Sequence, residues 1–246
     1  MRDTQVAGTA LSLRNVCKRF GKTIIANDLS MDCAHGELVG VIGPNGAGKS
    51  TLFNLISGDI AVDSGEIEAN GQIVTALKPF ERNRLGVARS YQVPKPFGRM
   101  SVAENLEVSA IFGAGLRRSD ARSWVDEVLS LSGLQAQRDL LAGSLPLLVR
   151  KRLELARAVA TKPAILLLDE IAGGLTDAEV DDLVSIIRAI ASQGVTILWV
   201  EHVLRALTKV ADRVLVLHGG TWIADGAPEA VMIDPEVQRI YFGAVE

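Results

Sequence analysis

The sequence predicts an α/β fold: a mostly parallel sheet flanked by helices, fronted by a small antiparallel β lobe and interrupted by a helical insertion. Three observations predict it. A glycine-rich string, GPNGAGKST at Gly43–Thr51, lies between an apolar strand and a helix. Apolar strand-like runs alternate with amphipathic helical runs after Pro163, which implies parallel strands joined by crossovers. On either side of the glycine-rich string, short alternating segments are bracketed by turn residues, the pattern of antiparallel strands.

In chain order, residues 1–9 are small and polar and are expected to be a loose tail. Alternation in Leu11–Val16 and turn signals at Phe20–Lys22 predict antiparallel strands. Glu37–Ile42 (ELVGVI) reads as a buried strand, and Ser50–Ser57 as a helix stopped by Gly58. Asp63-Ser64-Gly65 and Asn70-Gly71 bracket Glu66–Ala69 and Gln72–Val74, which read as a hairpin. From Val93 to about Ala160 the texture is helical, with Val125, Val128 and Leu129 on one face of Arg122–Leu131 and a basic-then-apolar helix at Lys151–Ala160. Three apolar strands follow, Ile165–Leu168, Val195–Val200 and Arg213–Leu217. Between the first two lies a helix with Val180, Leu183, Val184, Ile187 and Ile190 at helical spacing. Thr176 and Glu179 form a capping-box pattern at its start, and Gly194 follows its end.

The glycine-rich string contains the phosphate-loop pattern G-x-x-x-x-G-K-S at Gly43, Gly48, Lys49 and Ser50. Its residues, Gly43, Pro44, Asn45, Gly46, Ala47, Gly48, Lys49, Ser50 and Thr51, are the expected phosphate-binding set. Glycines let successive backbone amides turn inward toward phosphate oxygens. Lys49 is placed to reach the β- and γ-phosphates and the Ser50 hydroxyl to ligate Mg²⁺, with the helix N-terminus adding its positive end. ATP and Mg²⁺ are therefore the expected cofactors, on a P-loop NTPase (RecA-like) core. A chance glycine turn is the bland alternative, and correct flanks on both sides argue against it.

A second string, ILLLDE at Ile165–Glu170, ends a buried strand in two carboxylates. Asp169 is suited to hold Mg²⁺ through water opposite Ser50, and Glu170 to polarise an attacking water as general base, a role worth about 10²–10⁴ in rate. His202 ends the next strand after Glu201. A histidine at a strand end is commonly only a surface polar group, but strand carboxyl ends in such a sheet converge on the ligand. There it could hydrogen-bond the γ-phosphate and orient the water.

Bulk properties set limits. The chain of 246 residues can bury one sizeable core with a small second lobe. A net charge of −3 offers no nucleic-acid surface. Cys17 and Cys33 lack metal spacing and read as reduced thiols of a cytosolic protein. No apolar run approaches the roughly 18 residues of a membrane span, and the N-terminus lacks the apolar stretch of a signal peptide.

Taken together, GPNGAGKST, RSYQVP around Gln92, the RLELARAVA helix at 152–160, ILLLDE and VEH at 200–202 resemble the nucleotide-binding subunit of ATP-binding cassette (ABC) transporters. The resemblance runs from about Leu11 to Gly243, as a single nucleotide-binding domain: 10–92 and 161–246 form the ATPase core with its β lobe, and 93–160 the helical subdomain. Three stretches, GVARSYQVPKPFGRMSVAENL at 86–106, ILWVEHVLRAL at 197–207 and the segment 211–243, are similar to importers of branched-chain or other hydrophobic amino acids. The resemblance implies an ATPase subunit on the cytoplasmic face of the cell membrane. Its partners would be transmembrane permease subunits, a second ATP-binding subunit and, indirectly, an extracytoplasmic solute-binding protein. It also implies that Phe20 stacks on adenine (a core Phe being the alternative). Gln92 would contact Mg²⁺ and the water, moving with the permease. Tyr91 and Pro94–Phe97 would line the groove for the permease's coupling helix, unless they form a plain loop. Gly174–Asp177 would meet the second subunit.

One stretch departs from the family. Where its signature, usually LSGGQ, should stand, this chain has Leu145-Pro146-Leu147-Leu148-Val149. In the family that serine and those glycine amides hold the γ-phosphate of ATP on the opposite subunit. Pro146 lacks hydroxyl and N–H, and Leu148 would crowd the phosphate. Ser144 could take over the capping role, and Arg150 and Lys151 could add charge. Either the substitution is innocuous, or it favours a heterodimer in which this chain supplies the working phosphate loop and only the partner's site suffers; a homodimer would weaken both. The competing functions are a weakly hydrolysing regulatory subunit and an ABC ATPase acting on nucleic acid or ribosomes. The second expects a long coiled-coil insertion, paired cassettes or basic arms. A GTPase or small-molecule kinase would leave Gln92, Glu170 and His202 unexplained.

Overall fold

The computed structural model describes residues 8–242. Of the expected N-terminal tail, residues 1–7 lie outside that range, while Gly8 accepts the His35 N–H at 3.1 Å and Thr9 already begins a strand. Alternating side chains make long antiparallel strands, β1 (Thr9–Phe20) and β2 (Thr23–Ala34). The expected hairpin forms between β4 (Ser64–Ala69) and β5 (Gln72–Ile73), turning at Asn70 and Gly71 with φ 51° and 75°, and the lobe runs in the order β2-β1-β4-β5.

The second sheet follows the order β10-β9-β3-β8-β7-β6. Its parallel members are β3 (Leu38–Ile42), β6 (Val87–Ser90), β7 (Ile165–Asp169), β8 (Thr196–Val200) and β9 (Arg213–His218). β10 (Thr221–Gly226) closes one edge antiparallel to β9. Neither β6 nor β10 was anticipated. VARS and TWIADG lack the uninterrupted apolar run that marks the central strands, and β6 owes its place to its neighbour β7.

Successive side chains of a strand point to opposite faces, and the sheet uses both. Leu38, Ile42, Leu166, Leu168, Ile197 and Trp199 join one apolar cluster with the helices that follow β6; Val39, Val41, Ile165, Leu167, Leu198 and Val200 join another with the β lobe. The second cluster also takes Leu52, Phe53, Leu55 and Ile56 of α1 (Lys49–Ser57), which stops at Gly58 with φ 84°. α2 (Pro79–Arg84) caps that end in a way the sequence did not announce. Arg82 is 1% exposed and donates to Leu55 O at 2.6 Å, Ile56 O at 2.8 Å, Thr75 O at 2.8 Å and Leu77 O at 3.0 Å.

Between β6 and β7 the chain is helical: α3 (Val102–Val108), a π-helical turn at Ser109–Gly113, α4 (Arg118–Leu131) and α5 (Leu147–Ala160). α5 starts four residues before the expected Lys151. Pro146, at φ −58°, suits the position ahead of a first turn, so Leu147–Val149 enter the helix. α6 (Asp177–Ala191) opens on the expected capping box: Thr176 N–H donates to Glu179 Oε2 at 2.7 Å and Glu179 N–H to Thr176 Oγ1 at 3.4 Å. Short helices α7 (Leu204–Thr208), α8 (Pro228–Met232) and α9 (Pro235–Phe242) complete the described chain. Among the described residues no helix is long and apolar enough to cross a membrane. Cys17 and Cys33 are free thiols; burial pushes the Cys33 thiol up to about 12.

Candidate active site

Parallel register brings the carboxyl ends of β3, β7 and β8 side by side. β3 runs into the Gly43–Thr51 loop, β7 ends in Asp169 and Glu170, and β8 delivers Glu201 and His202. The loop lines a cavity of about 300 Å³ with Ile25 and Glu170. Close approach explains two of its glycines. A Cβ on Gly43 would meet Leu217 O at 2.3 Å, and one on Gly48, at φ 104°, would meet Ile25 O at 2.7 Å. The first amides of a helix have no partner within it; in α1, Leu52 N–H donates to Gly48 O at 2.8 Å, leaving the turn before it for an anion.

Lys49 is 5% exposed and arches back over the loop, donating to Gly43 O at 2.6 Å and Pro44 O at 3.0 Å. Burial pulls its pKa down, while the charges of Glu170 and Asp169 act in the opposite sense. Its third proton remains for a ligand. Ser50 lines this cavity and also a neighbouring one of about 520 Å³, which contains Asp169, Gln92, Asn54, Arg89 and Tyr91. Ser50 thus stands where the loop and the acidic strand end meet.

Glu170 has φ 46°, a left-handed conformation uncommon for a residue with a side chain. Its N–H donates to Val200 O at 2.9 Å, which ties the strained position to β8. Such outliers gather where function fixes the backbone. Its carboxylate accepts from Gln92 Nε2 at 2.7 Å, and His202 Nδ1 lies 3.9 Å away. Gln92, expected on the metal and water, here engages Glu170 directly. His202 packs against Gly173, where an added Cβ would lie 3.4 Å from its Cε1. Behind it, fully buried Glu201 accepts from the amides of Ala172 at 2.6 Å, His202 at 3.0 Å and Val203 at 3.2 Å; burial raises its pKa against those hydrogen bonds.

Asp169 is not free. Arg89 Nη2 donates to its Oδ2 at 2.6 Å, with both side chains 7% exposed. Sequence reasoning passed over this arginine, although it lies three residues before Gln92. It also passed over Ile25, which reaches the cavity from β2. Phe20 ends β1 at 49% exposure with the Lys18 ammonium 5.5 Å from its ring; it is not among the residues lining the loop cavity.

The Leu145–Val149 stretch corrects two expectations. Ser144 does not cap α5, since its hydroxyl donates to Leu141 O at 2.8 Å and Pro146 holds the cap position. Lys151 adds no open charge: it is 8% exposed, its ammonium donates to Ile171 O at 3.2 Å and to Gly173 O, and burial lowers its pKa. Arg150 folds back onto Leu145 O at 2.6 Å. Leu147, at 56% exposure, stands in the open at the helix start.

The sequence family described as "ABC transporter" matches residues 26–173. A high-affinity branched-chain amino acid transport ATP-binding protein of Pseudomonas aeruginosa is 34% identical, covering 95% of this chain and 97% of its own. A lipopolysaccharide export system ATP-binding protein of Acidithiobacillus ferridurans is 33% identical over 95% and 96%. Among solved structures, the ADP conformation of an ATP-binding cassette of an ABC transporter superposes with a TM-score of 0.86 at 29% identity, covering 96% of this chain and all of that one. With loop, acidic strand end and glutamine converging as described, the chain belongs to the ABC transporter family, as an ATP-binding subunit that hydrolyses ATP.

Proposed function

We propose that this subunit powers uptake of branched-chain or other hydrophobic amino acids, or related small solutes, through a partner permease. It would sit on the cytoplasmic face of the cell membrane, as one nucleotide-binding domain with a core at 10–92 and 161–246 and a helical subdomain at 93–160. Family members of this kind dimerise and work with transmembrane permease components. A branched-chain amino acid as solute is supported by relatives from Pseudomonas aeruginosa and Escherichia coli whose names specify branched-chain amino acid transport. The export relative matches at similar identity; the solute carried by reconstituted complex decides between them.

For hydrolysis, the carrying observation is the convergence of Lys49, Ser50, Asp169, Glu170 and Gln92 on two adjoining cavities. The residues fit a triphosphate with Mg²⁺: Gly43 and Gly48 leave no room for a Cβ, the helix start offers amides, and a hydroxyl and a carboxylate stand nearby. Bound Mg²⁺ supplies neutralisation of charge on the phosphates. The loop from Gly43 to Thr51 holds phosphate oxygens and Lys49 donates to them. Asp169, Ser50 and Gln92 would hold the cation. Glu170 accepts the proton of the attacking water. Its hydrogen bond to Gln92 withholds that carboxylate until the glutamine moves. His202 donates to the terminal phosphate, and Phe20 offers its exposed ring to the base. The subunit works in a heterodimer, because Pro146 and Leu148 weaken what it can offer the opposite ATP.

The test is equilibrium binding and turnover in the assembled transporter. Lys49→Ala is expected to abolish ATP binding, and Glu170→Gln to keep binding while lowering turnover about 10²–10⁴-fold. Unchanged turnover in Glu170→Gln paired with a partner whose own catalytic glutamate is also replaced would remove Glu170 from the chemistry.

A further inference from the structure

Arg89 is the one buried cation of the site that the proposed chemistry leaves without a task. Its Nη2 holds Asp169 Oδ2 at 2.6 Å. Its Nη1 donates to Asn54 Oδ1 of α1 at 2.6 Å and lies 3.3 Å from both Ser57 Oγ and Asp59 Oδ2. The rings of Phe53 and Tyr91 stand 5.6 Å and 4.9 Å from the guanidinium.

An arginine on a cation-binding carboxylate can be a plug, which must leave before the metal arrives, or a brace, which stays. Three features describe a brace. Arg89 takes only Oδ2 and leaves Oδ1 of Asp169 without a side-chain donor. Its other nitrogen is anchored by Asn54, independently of Asp169, and two aromatic rings restrict its plane. Asn54 lies four residues after Ser50 on α1, hence on the same helix face. Arg89 therefore spans from the helix that carries Ser50 to the strand that carries Asp169.

We infer that Arg89 is a positioning residue for the divalent-cation site, fixing Asp169 Oδ1 relative to the Ser50 hydroxyl. This rests on the reading of Asp169 and Ser50 as cation ligands. A positive charge so near a cation lowers its affinity by repulsion, so the two roles predict opposite signs on removal. A brace withdrawn loosens the metal; a plug withdrawn tightens it. Outer partners that orient a metal ligand are worth about 10–100-fold in metal affinity.

The experiment measures ATP affinity of the full chain by calorimetry, once in EDTA and once in saturating Mn²⁺. The ratio isolates the metal's share from the grip of the phosphate loop. Arg89→Met is expected to keep the EDTA affinity within about twofold and to lose about tenfold of the Mn²⁺-dependent gain. Arg89→Lys, which keeps the charge but not the fork, is expected to lose most of the same gain. Asn54→Ala, which removes the shortest of the Nη1 contacts and leaves those to Ser57 and Asp59, is expected to lose about threefold. An undiminished or larger gain in Arg89→Met overturns the inference. Should that variant fail to fold, an undiminished gain in both Arg89→Lys and Asn54→Ala overturns it equally. Asp169→Asn separates the two levels: with its gain abolished while the Arg89 variants keep theirs, only the brace fails, whereas a full gain in Asp169→Asn removes the metal reading and the brace together.

Discussion

Arg82 shows how a single side chain can hold two elements without leaving a trace in the sequence. Its four hydrogen bonds all go to main-chain carbonyls, two of them at the end of α1. A cation there also meets the negative end of the helix. Arg82→Met would strand the buried carbonyls of Leu55 and Ile56. A hydrogen bond to a charged group is worth about 1.5–3 kcal/mol, part of which the methionine's apolar burial returns. The expected loss is about 3 kcal/mol in urea unfolding, and a loss under about 1 kcal/mol would show that water reaches those carbonyls. Charged residues are seldom fully buried, so PFERNR reads locally as a solvated helix. Lys49 stood out for the opposite reason: its glycine-rich context marks it as the lysine of a phosphate-loop pattern. Arg89 falls between the two, since Gln92 and Asp169 were both read while the contact joining Arg89 to Asp169 spans 80 residues.

At the scale of the element, α6 is the part most fully written in the sequence, because its cap is a local code. Glu179 accepts from the Thr176 amide first and the Thr176 hydroxyl second, and both hold its carboxyl below the ordinary 4.5. A carboxyl whose pKa is lowered by folding stabilises the native state above its unfolded pKa and loses that contribution as pH falls through the folded one. The wild-type advantage in melting temperature over Glu179→Gln is thus expected to be full at pH 7 and to shrink as pH drops below 4.5. An advantage independent of pH would mean that the capping comes from Thr176 alone. The central strands were equally legible from their apolar runs. β6 and β10 were not, because an edge strand with polar members is defined by the neighbour it pairs with rather than by its own residues. α5 was legible in its middle from its apolar face, and its start at Leu147 follows from Pro146, which suits the position ahead of a first turn.

For the whole molecule, the pairing with another subunit is the feature least visible in one chain. The phosphate loop is intact, while the stretch that would serve the opposite nucleotide carries Pro146 and an exposed Leu147. In the assembled transporter, Glu170→Gln in this chain is expected to remove most turnover, and the equivalent change in its partner to remove little. Leu148→Gly is expected to raise turnover at the partner's site. The reverse asymmetry, read by steady-state hydrolysis of mixed complexes, would assign the productive site to the partner. The two-faced parallel sheet carries a consequence of another kind. Its strands send alternate side chains into both apolar clusters, so each cluster has the same backbone layer as its wall. Neither can melt and leave the other enclosed. Heat should therefore dismantle the β lobe and the helical insertion in one cooperative step, however far apart they lie along the chain.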